Sequence, residues 1–333
     1  MLTIESVRMA KDAEWDAFYE ATPHATYFHS REWTELWDRA TRGRLQSWPR
    51  LVTFVDGVRA VLPMSVGLGA RGLVRSYHST VVGGYGGWLS EQPLSDEHAE
   101  TLTHYLGHGF GRLDWRVNPY DEQALETRVV PREYDETLAL DLRPGFKTVH
   151  RRWSKGHRAA VSQAAREGVT VRLANSTDDW TNYYTVYQDS LARWKKRATS
   201  RHPRALFEEL GKLTSPKVKL WVAETCGIFV AGAVCLYAKN NVSYWHSAAL
   251  DSQFPRRPVH LLLFEAIQDA CSKGLDWFDF NPSGGNEGVD GFKRGFGAEG
   301  LPSPVVRVRP LWRRVAASVA EAAQGLRSRE PLG

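Results

Sequence analysis

Between Asp279 and Ala298 the chain gathers the residue types best suited to chemistry. A short apolar run, Leu275–Phe280, reads as a buried strand. It empties into Asn281-Pro282-Ser283-Gly284-Gly285-Asn286-Glu287-Gly288, and a short helix carrying Phe292, Lys293 and Arg294 is predicted beyond that loop. Glycines let a backbone approach a ligand closely and present its N–H groups. A lysine beyond such a loop stabilises an anion or a developing oxyanion. A surface turn with a solvated Lys-Arg pair is the competing reading. The density of Gly, Asn and Glu directly after an apolar strand, where α/β folds place ligands, favours a site. Asn281, Ser283, Gly284, Asn286 and Glu287 are therefore candidate substrate-binding residues, and Lys293 is the candidate catalytic cation.

The elements that must position this loop are legible as two similar halves. At 333 residues the chain suits two domains, here divided at 1–144 and 145–309 with a basic C-terminal segment, 310–333. In the first half a strand at 2–8 precedes helices at 12–20 and 30–41. Then come a hairpin at 50–66 turning at Asp56-Gly57, a strand at 73–78, a helix at 95–107 and a strand at 112–117. The second half opens on a basic helix predicted over 146–166, then a strand at 169–173 and helices at 177–195 and 203–212. A hairpin at 217–238, a strand at 242–248, a helix at 257–273 and the strand at 275–280 follow. The echo reaches single residues: Leu113-Asp114-Trp115-Arg116-Val117-Asn118-Pro119 answers Leu275-Asp276-Trp277-Phe278-Asp279-Phe280-Asn281-Pro282. The fold class is thus mixed α/β, two copies of one αβ unit. Only the second copy continues into the glycine-rich loop and Lys293, so the chemistry is expected there, with the first copy as substrate wall and acceptor-binding side. A last strand is expected at 301–308 and a helix at 310–326.

Composition narrows the class further. With 42% hydrophobic residues and 13 Trp, a net charge of +5 and pI near 9.1, the chain is globular and compatible with a polyanionic partner such as RNA. Cys226, Cys235 and Cys271 show no metal or redox spacing and read as reduced residues. No signal-peptide pattern and no run of roughly 20 apolar residues is present. A cytoplasmic monomer or dimer is expected, without stable membrane insertion, including one that visits the inner membrane face.

Several segments together resemble the FemA/FemB/FemX aminoacyltransferases, a branch of the GNAT superfamily built from two tandem acetyltransferase-like domains. They are Trp153–Ala159 running on to Val169, Tyr187–Trp194, Leu220–Glu224 with Gly232, Tyr244–Ser247, and the closing Phe292-Lys293-Arg294-Gly295-Phe296-Gly297. Phe28–Trp33 and Leu62-Pro63 carry a looser likeness in the first half. No insertion long enough for a coiled-coil arm occurs, so the likeness is to the compact FemX form. It implies transfer of an amino acid from aminoacyl-tRNA to an amine, in the best-known members on a UDP-linked peptidoglycan precursor. It also implies that the lysine of the closing Phe-Lys motif, Phe292-Lys293 here, supports the tetrahedral transition state. Arg193 is the nearest match to an arginine that contacts acceptor phosphates, and Tyr244, with Trp245 beside it, matches a tyrosine lining the site.

Aminoacyl transfer begins from an activated ester, so its tasks are to orient the amine, stabilise the oxyanion and move a proton. His246, Asp279 and Glu287 are unranked candidates for the proton; a histidine on an apolar strand such as His246 also reads as a packed core residue. Lys147, Arg151, Arg152, Lys155 and Arg158 form a basic helix face that either binds tRNA or is simply solvated. Lys196 and Arg197, with Arg193, form a second cluster suited to phosphates. The place where acetyltransferases carry a glycine-rich pyrophosphate turn reads Arg256-Arg257-Pro258-Val259-His260-Leu261, so CoA is disfavoured and no cofactor or metal is expected. An acyl-CoA N-acyltransferase and a non-catalytic RNA- or nucleotide-sugar-binding protein remain the alternatives.

Overall fold

The computed structural model describes residues 2–69, 74–81, 83–127, 132–194 and 201–309. The first half contributes β1 (Ile4–Met9), α1 (Asp12–Ala21), α2 (Arg31–Thr41), β2 (Leu45–Ser47), β3 (Arg50–Phe54), β4 (Arg59–Leu62), β5 (Ser65–Gly69) and β6 (Val74–His78). It continues with α3 (Asp96–His108), β7 (Leu113–Arg116), α4 (Glu122–Glu126), β8 (Arg132–Glu133) and β9 (Glu136–Asp141). The second half supplies α5 (Phe146–Arg152), α6 (Lys155–Arg166), β10 (Val169–Leu173), α7 (Thr177–Trp194), α8 (Arg204–Lys212), β11 (Val218–Thr225), β12 (Ile228–Tyr237) and β13 (Asn241–Ala249). α9 (Pro258–Ser272), β14 (Trp277–Asp279), α10 (Glu287–Arg294), β15 (Glu299–Pro302) and β16 (Val305–Val308) complete it.

Mixed α/β architecture with two related sheets is what the patterning predicts, and it is what forms. The first half builds a six-stranded sheet in the order β2-β5-β6-β7-β16-β8, flanked by the three strands β1-β3-β4. The second builds seven strands, β10-β11-β12-β13-β14-β9-β15. The internal echo is structural: each Leu-Asp-Trp strand lies parallel to the strand before its helix. β7 pairs with β6 through Leu113 and Asp114, and β14 pairs with β13 through Trp277, Phe278 and Asp279.

Three expectations need correction. The division at residue 144 does not follow the sheets, because β9 lies between β14 and β15 while β16 returns to sit between β7 and β8. The two halves exchange a strand each. The basic helix expected over 146–166 is two helices. Ser154 donates its N–H to the Gly295 carbonyl (2.8 Å) and its hydroxyl caps α6 at His157 N, a tie that a continuous helix would forbid. The Trp153 ring is thereby turned into the core against Phe296. The hairpin at 50–66 stops at Leu62: Pro63 has no N–H to donate, and β4 and β5 join different sheets. The expected helix at 310–326 lies outside the described residues.

One face of the seven-stranded sheet is covered by α5, α6 and α9 over a core that includes Trp153, Leu262, Ile267 and Phe278. The opposite face is covered by α7 and α8 and, from the first half, by α2 and its neighbours. Trp33 meets Trp245 with ring centroids 5.3 Å apart, and Trp37 meets the His202 ring at 5.9 Å. An aromatic seam of this kind removes large apolar areas from water at about 25 cal/mol per Å² and joins the halves over one continuous core. No described helix is long and apolar enough to cross a membrane.

Candidate functional site

β13 and β14 pair over only three residues. β13 then runs on to Ala249, whereas the chain leaves β14 after Asp279. The two strands part there, and Asn281 spans the opening. Its side-chain amide donates to the Tyr244 carbonyl (2.9 Å) and its backbone N–H to Asp279 Oδ1 (2.7 Å). Asn281 adopts the left-handed conformation, φ 59°, which Asn tolerates better than most residues. The next two glycines, Gly284 and Gly285, are left-handed as well, and Asn286 then caps α10 by accepting from Val289 N–H (3.1 Å).

α10 returns Lys293 to the crevice. Its side chain is buried, only 5% of the residue being exposed, and Nζ donates to the Asn281 carbonyl at 2.6 Å. Burial pushes the ammonium down to about 8, partly opposed by the negative charges of Asp279 and Asp290. Phe292 packs with His157, His260 and Phe296, while its carbonyl takes the His157 Nε2–H at 2.9 Å. Asp279 is completely buried. Burial raises its carboxyl group, and the donors around it, Thr137 first, hold it down. In the loop, Asn281 Oδ1 and Ser283 Oγ are shielded from solvent with no hydrogen-bond partner among the described residues. Both retain capacity to bind a ligand's polar groups. A cavity of about 230 Å³ lies between this loop and Asp135 and Glu136, with Ser283, Gly284, Asn286 and Glu287 on its wall.

The remaining predicted residues fall into different places. Tyr244 is buried beside Phe278 and Phe280 and reaches the crevice through its carbonyl. A bulge between Tyr244 and His246 in the pairing with β12 shifts the alternation of side chains. Trp245 packs on Trp33, and His246 is a core residue hydrogen-bonded to the Tyr183 hydroxyl among Tyr187, His202 and Phe207. Burial holds the His246 imidazole far below its ordinary range and therefore neutral, and the structure does not bring it to Lys293. Arg193 ends α7 over the Phe254 ring (4.4 Å), facing Asp189 and Asp251. Lys147, Arg151, Arg152 and Lys155 are exposed on α5 and α6 and Arg158 is half-buried; the Ser154–Gly295 tie places this basic ridge against the end of α10. Lys196 and Arg197 lie outside the described residues.

Sequence reasoning missed Tyr85, Tyr120 and Thr137. The Tyr120 hydroxyl donates to Asp279 Oδ2 (2.7 Å), Thr137 donates to Oδ1 (2.6 Å), and Tyr85 donates to the Thr137 hydroxyl (2.8 Å). A signal existed for one of them: Tyr120 follows Asn118-Pro119 as Ser283 follows Asn281-Pro282.

Two kinds of likeness bear on this geometry. Residues 150–294 match the acetyltransferase (GNAT) domain family, an acyltransferase family, over the part of the chain that carries the crevice and Lys293. Among solved structures, FemX superposes with a TM-score of 0.67 at 11% identity, over 91% of this chain and 97% of its own. The chain has the FemX fold. L-PGS from Bacillus licheniformis superposes at 0.55, with 14% identity over 91% of this chain and 93% of that one. The C-terminal domain of a putative lysylphosphatidylglycerol synthetase from Agrobacterium fabrum gives 0.57, at 13% over 93% and 96%. No curated protein matches the chain in sequence. The FemX superposition extends over both halves of the chain.

Proposed function

We propose that the chain is an aminoacyltransferase that moves an amino acid from aminoacyl-tRNA to an amine, on a peptidoglycan precursor or a small-molecule acceptor. The observation that carries this reading is the buried Lys293 at the mouth of the β13–β14 crevice, within a FemX-like fold. The amine nitrogen adds to the ester carbonyl of the donor, and the carbonyl oxygen takes up the negative charge. Lys293, protonated below about pH 8, stabilises that charge from a site largely removed from water, where a cation acts more strongly than in solvent. Collapse breaks the ester C–O bond, and the amine's proton ends on the released ribose hydroxyl. The unpartnered Asn281 Oδ1 and Ser283 Oγ are placed to receive N–H or O–H groups of a substrate. The basic ridge on α5 and α6 suits the phosphates of the tRNA end.

A second reading, N-acylation from an acyl-CoA, is favoured by the acetyltransferase-domain match. Against it, α9 begins at Arg257-Pro258 with no glycine turn to admit a pyrophosphate. The test combines purified protein, tRNA charged with labelled amino acids, and amine acceptors including UDP-linked muropeptides. Label is expected to move to a small acceptor in the wild type. Lys293→Met is expected to slow the transfer by about 100-fold or more, the scale on which removal of one oxyanion-stabilising group acts. Equal rates in the two proteins would remove Lys293 from the mechanism.

A further inference from the structure

Asp279 is a fully buried carboxylate that the transfer steps above leave without a task. Thr137 and the Asn281 N–H donate to Oδ1, and Tyr120 donates to Oδ2, with Tyr85 behind Thr137. Each of these direct contacts donates to the carboxylate, which favours its ionised form against the upward pull of burial. Two of the hydroxyls, those of Tyr85 and Tyr120, come from loops of the first half beyond β6 and β7. Thr137 sits on β9, the strand that crosses into the second sheet. On the other side, the single residue Asn281 gives its N–H to Asp279 and its carbonyl to the Lys293 ammonium, 2.6 Å away.

We infer that Asp279 is a positioning residue through which Tyr85 and Tyr120 of the first half hold Lys293 of the second: the hydroxyls fix the carboxylate, the carboxylate holds the backbone N–H of Asn281, and the carbonyl of that same residue receives the ammonium. The inference rests on Lys293 being the cation of the site. Two carboxylates influence that ammonium, Asp279 from β14 and Asp290 from its own helix. Asp290 accepts from Arg294 at 2.7 Å, whereas Asp279 is joined to the lysine through the backbone of Asn281. The first half is then more than a wall for substrate, since it completes the hydrogen bonding behind the cation.

The test reads the lysine directly and needs no turnover. Full-length wild type, Asp279→Asn, Tyr120→Phe and Tyr85→Phe are labelled with a trace of acetic anhydride across a pH series. The extent of acetylation at Lys293 is read by peptide mass spectrometry, and each variant's melting temperature is recorded. The wild-type midpoint is expected near 8, and Asp279→Asn is expected to move it down by about one unit, tenfold in the proton equilibrium. In the tyrosine variants Lys293 is expected to react several-fold faster at fixed pH. In the transfer assay they are expected to lose about tenfold in kcat with KM unchanged. A folded Asp279→Asn protein with the wild-type midpoint would overturn the coupling. Were that variant unfolded, wild-type reactivity in both tyrosine variants would do so. If the midpoint shifts while no variant or wild type transfers label, the aminoacyltransferase reading fails and the coupling stands.

Discussion

Lys293 is a buried cation whose ordinary value near 10.5 is brought down to about 8. Between these values the unfolded chain binds a proton that the folded chain does not. Folding stability therefore rises with pH through that window, and the increment is absent below it. Urea titrations at pH 7.5 and 10 are expected to show this gain in the wild type and not in Lys293→Met. Equal gains in both would place the titration elsewhere. In the proposed mechanism the same protonation is expected to govern activity. The rate is expected to fall as pH passes about 8 and the cation is lost, whereas Lys293→Arg, which stays charged, is expected to lack that descending limb even at a reduced rate. A limb of unchanged midpoint in the arginine variant would assign it to another group.

At the level of elements, the site depends on how α10 is fastened. The Ser154–Gly295 and His157–Phe292 hydrogen bonds tie α6 to α10, and a Cβ on Gly295 would run into the His157 ring. Gly295→Ala is expected to destabilise the protein by about 1–3 kcal/mol, the usual cost of overpacking, and to loosen Lys293 toward acylating reagents. An unchanged melting temperature would show that α10 is not anchored there. The glycine loop, the following helix and Lys293 were legible because their signal is local: an apolar run, then Gly and Asn where left-handed backbone is needed, then an amphipathic turn. The break at Trp153-Ser154 was not legible, because its cause is a carbonyl some 140 residues away at Gly295. His246 was ambiguous for a similar reason. A bulge in β13, invisible in the alternation of residue types, turns it toward Tyr183 instead of the crevice. Tyr85 and Tyr120 were hidden because their partners are reached only when the two halves close on each other.

For the whole molecule the strand exchange is decisive. β9 stands between β14 and β15, so a fragment starting at residue 145 lacks an interior strand of its sheet and leaves β14 an unpaired edge. Such a fragment is expected to be unfolded, and the intact chain is expected to unfold in one calorimetric transition; two separated transitions would contradict a shared core. The internal repeat made the two related sheets readable in the sequence. It could not reveal the exchange, since β9 and β16 follow the same polar–apolar pattern whichever sheet they join. The charge balance bears on the partner. A net charge of +5, with exposed basic residues on α5 and α6 beside α10, suits a polyanionic donor, and the affinity for it is expected to fall steeply with salt.

The most direct measurement offers both donors at once. Wild-type protein is given tRNA charged with one labelled amino acid pool and acetyl-CoA carrying a second label, together with the amine acceptors, with and without RNase. The amino-acid label is expected to reach a small acceptor, RNase to abolish the transfer, and the acetyl label to stay on CoA. Transfer of the acetyl label that RNase leaves untouched would contradict the aminoacyltransferase reading and establish an acyl-CoA enzyme on a FemX-like fold.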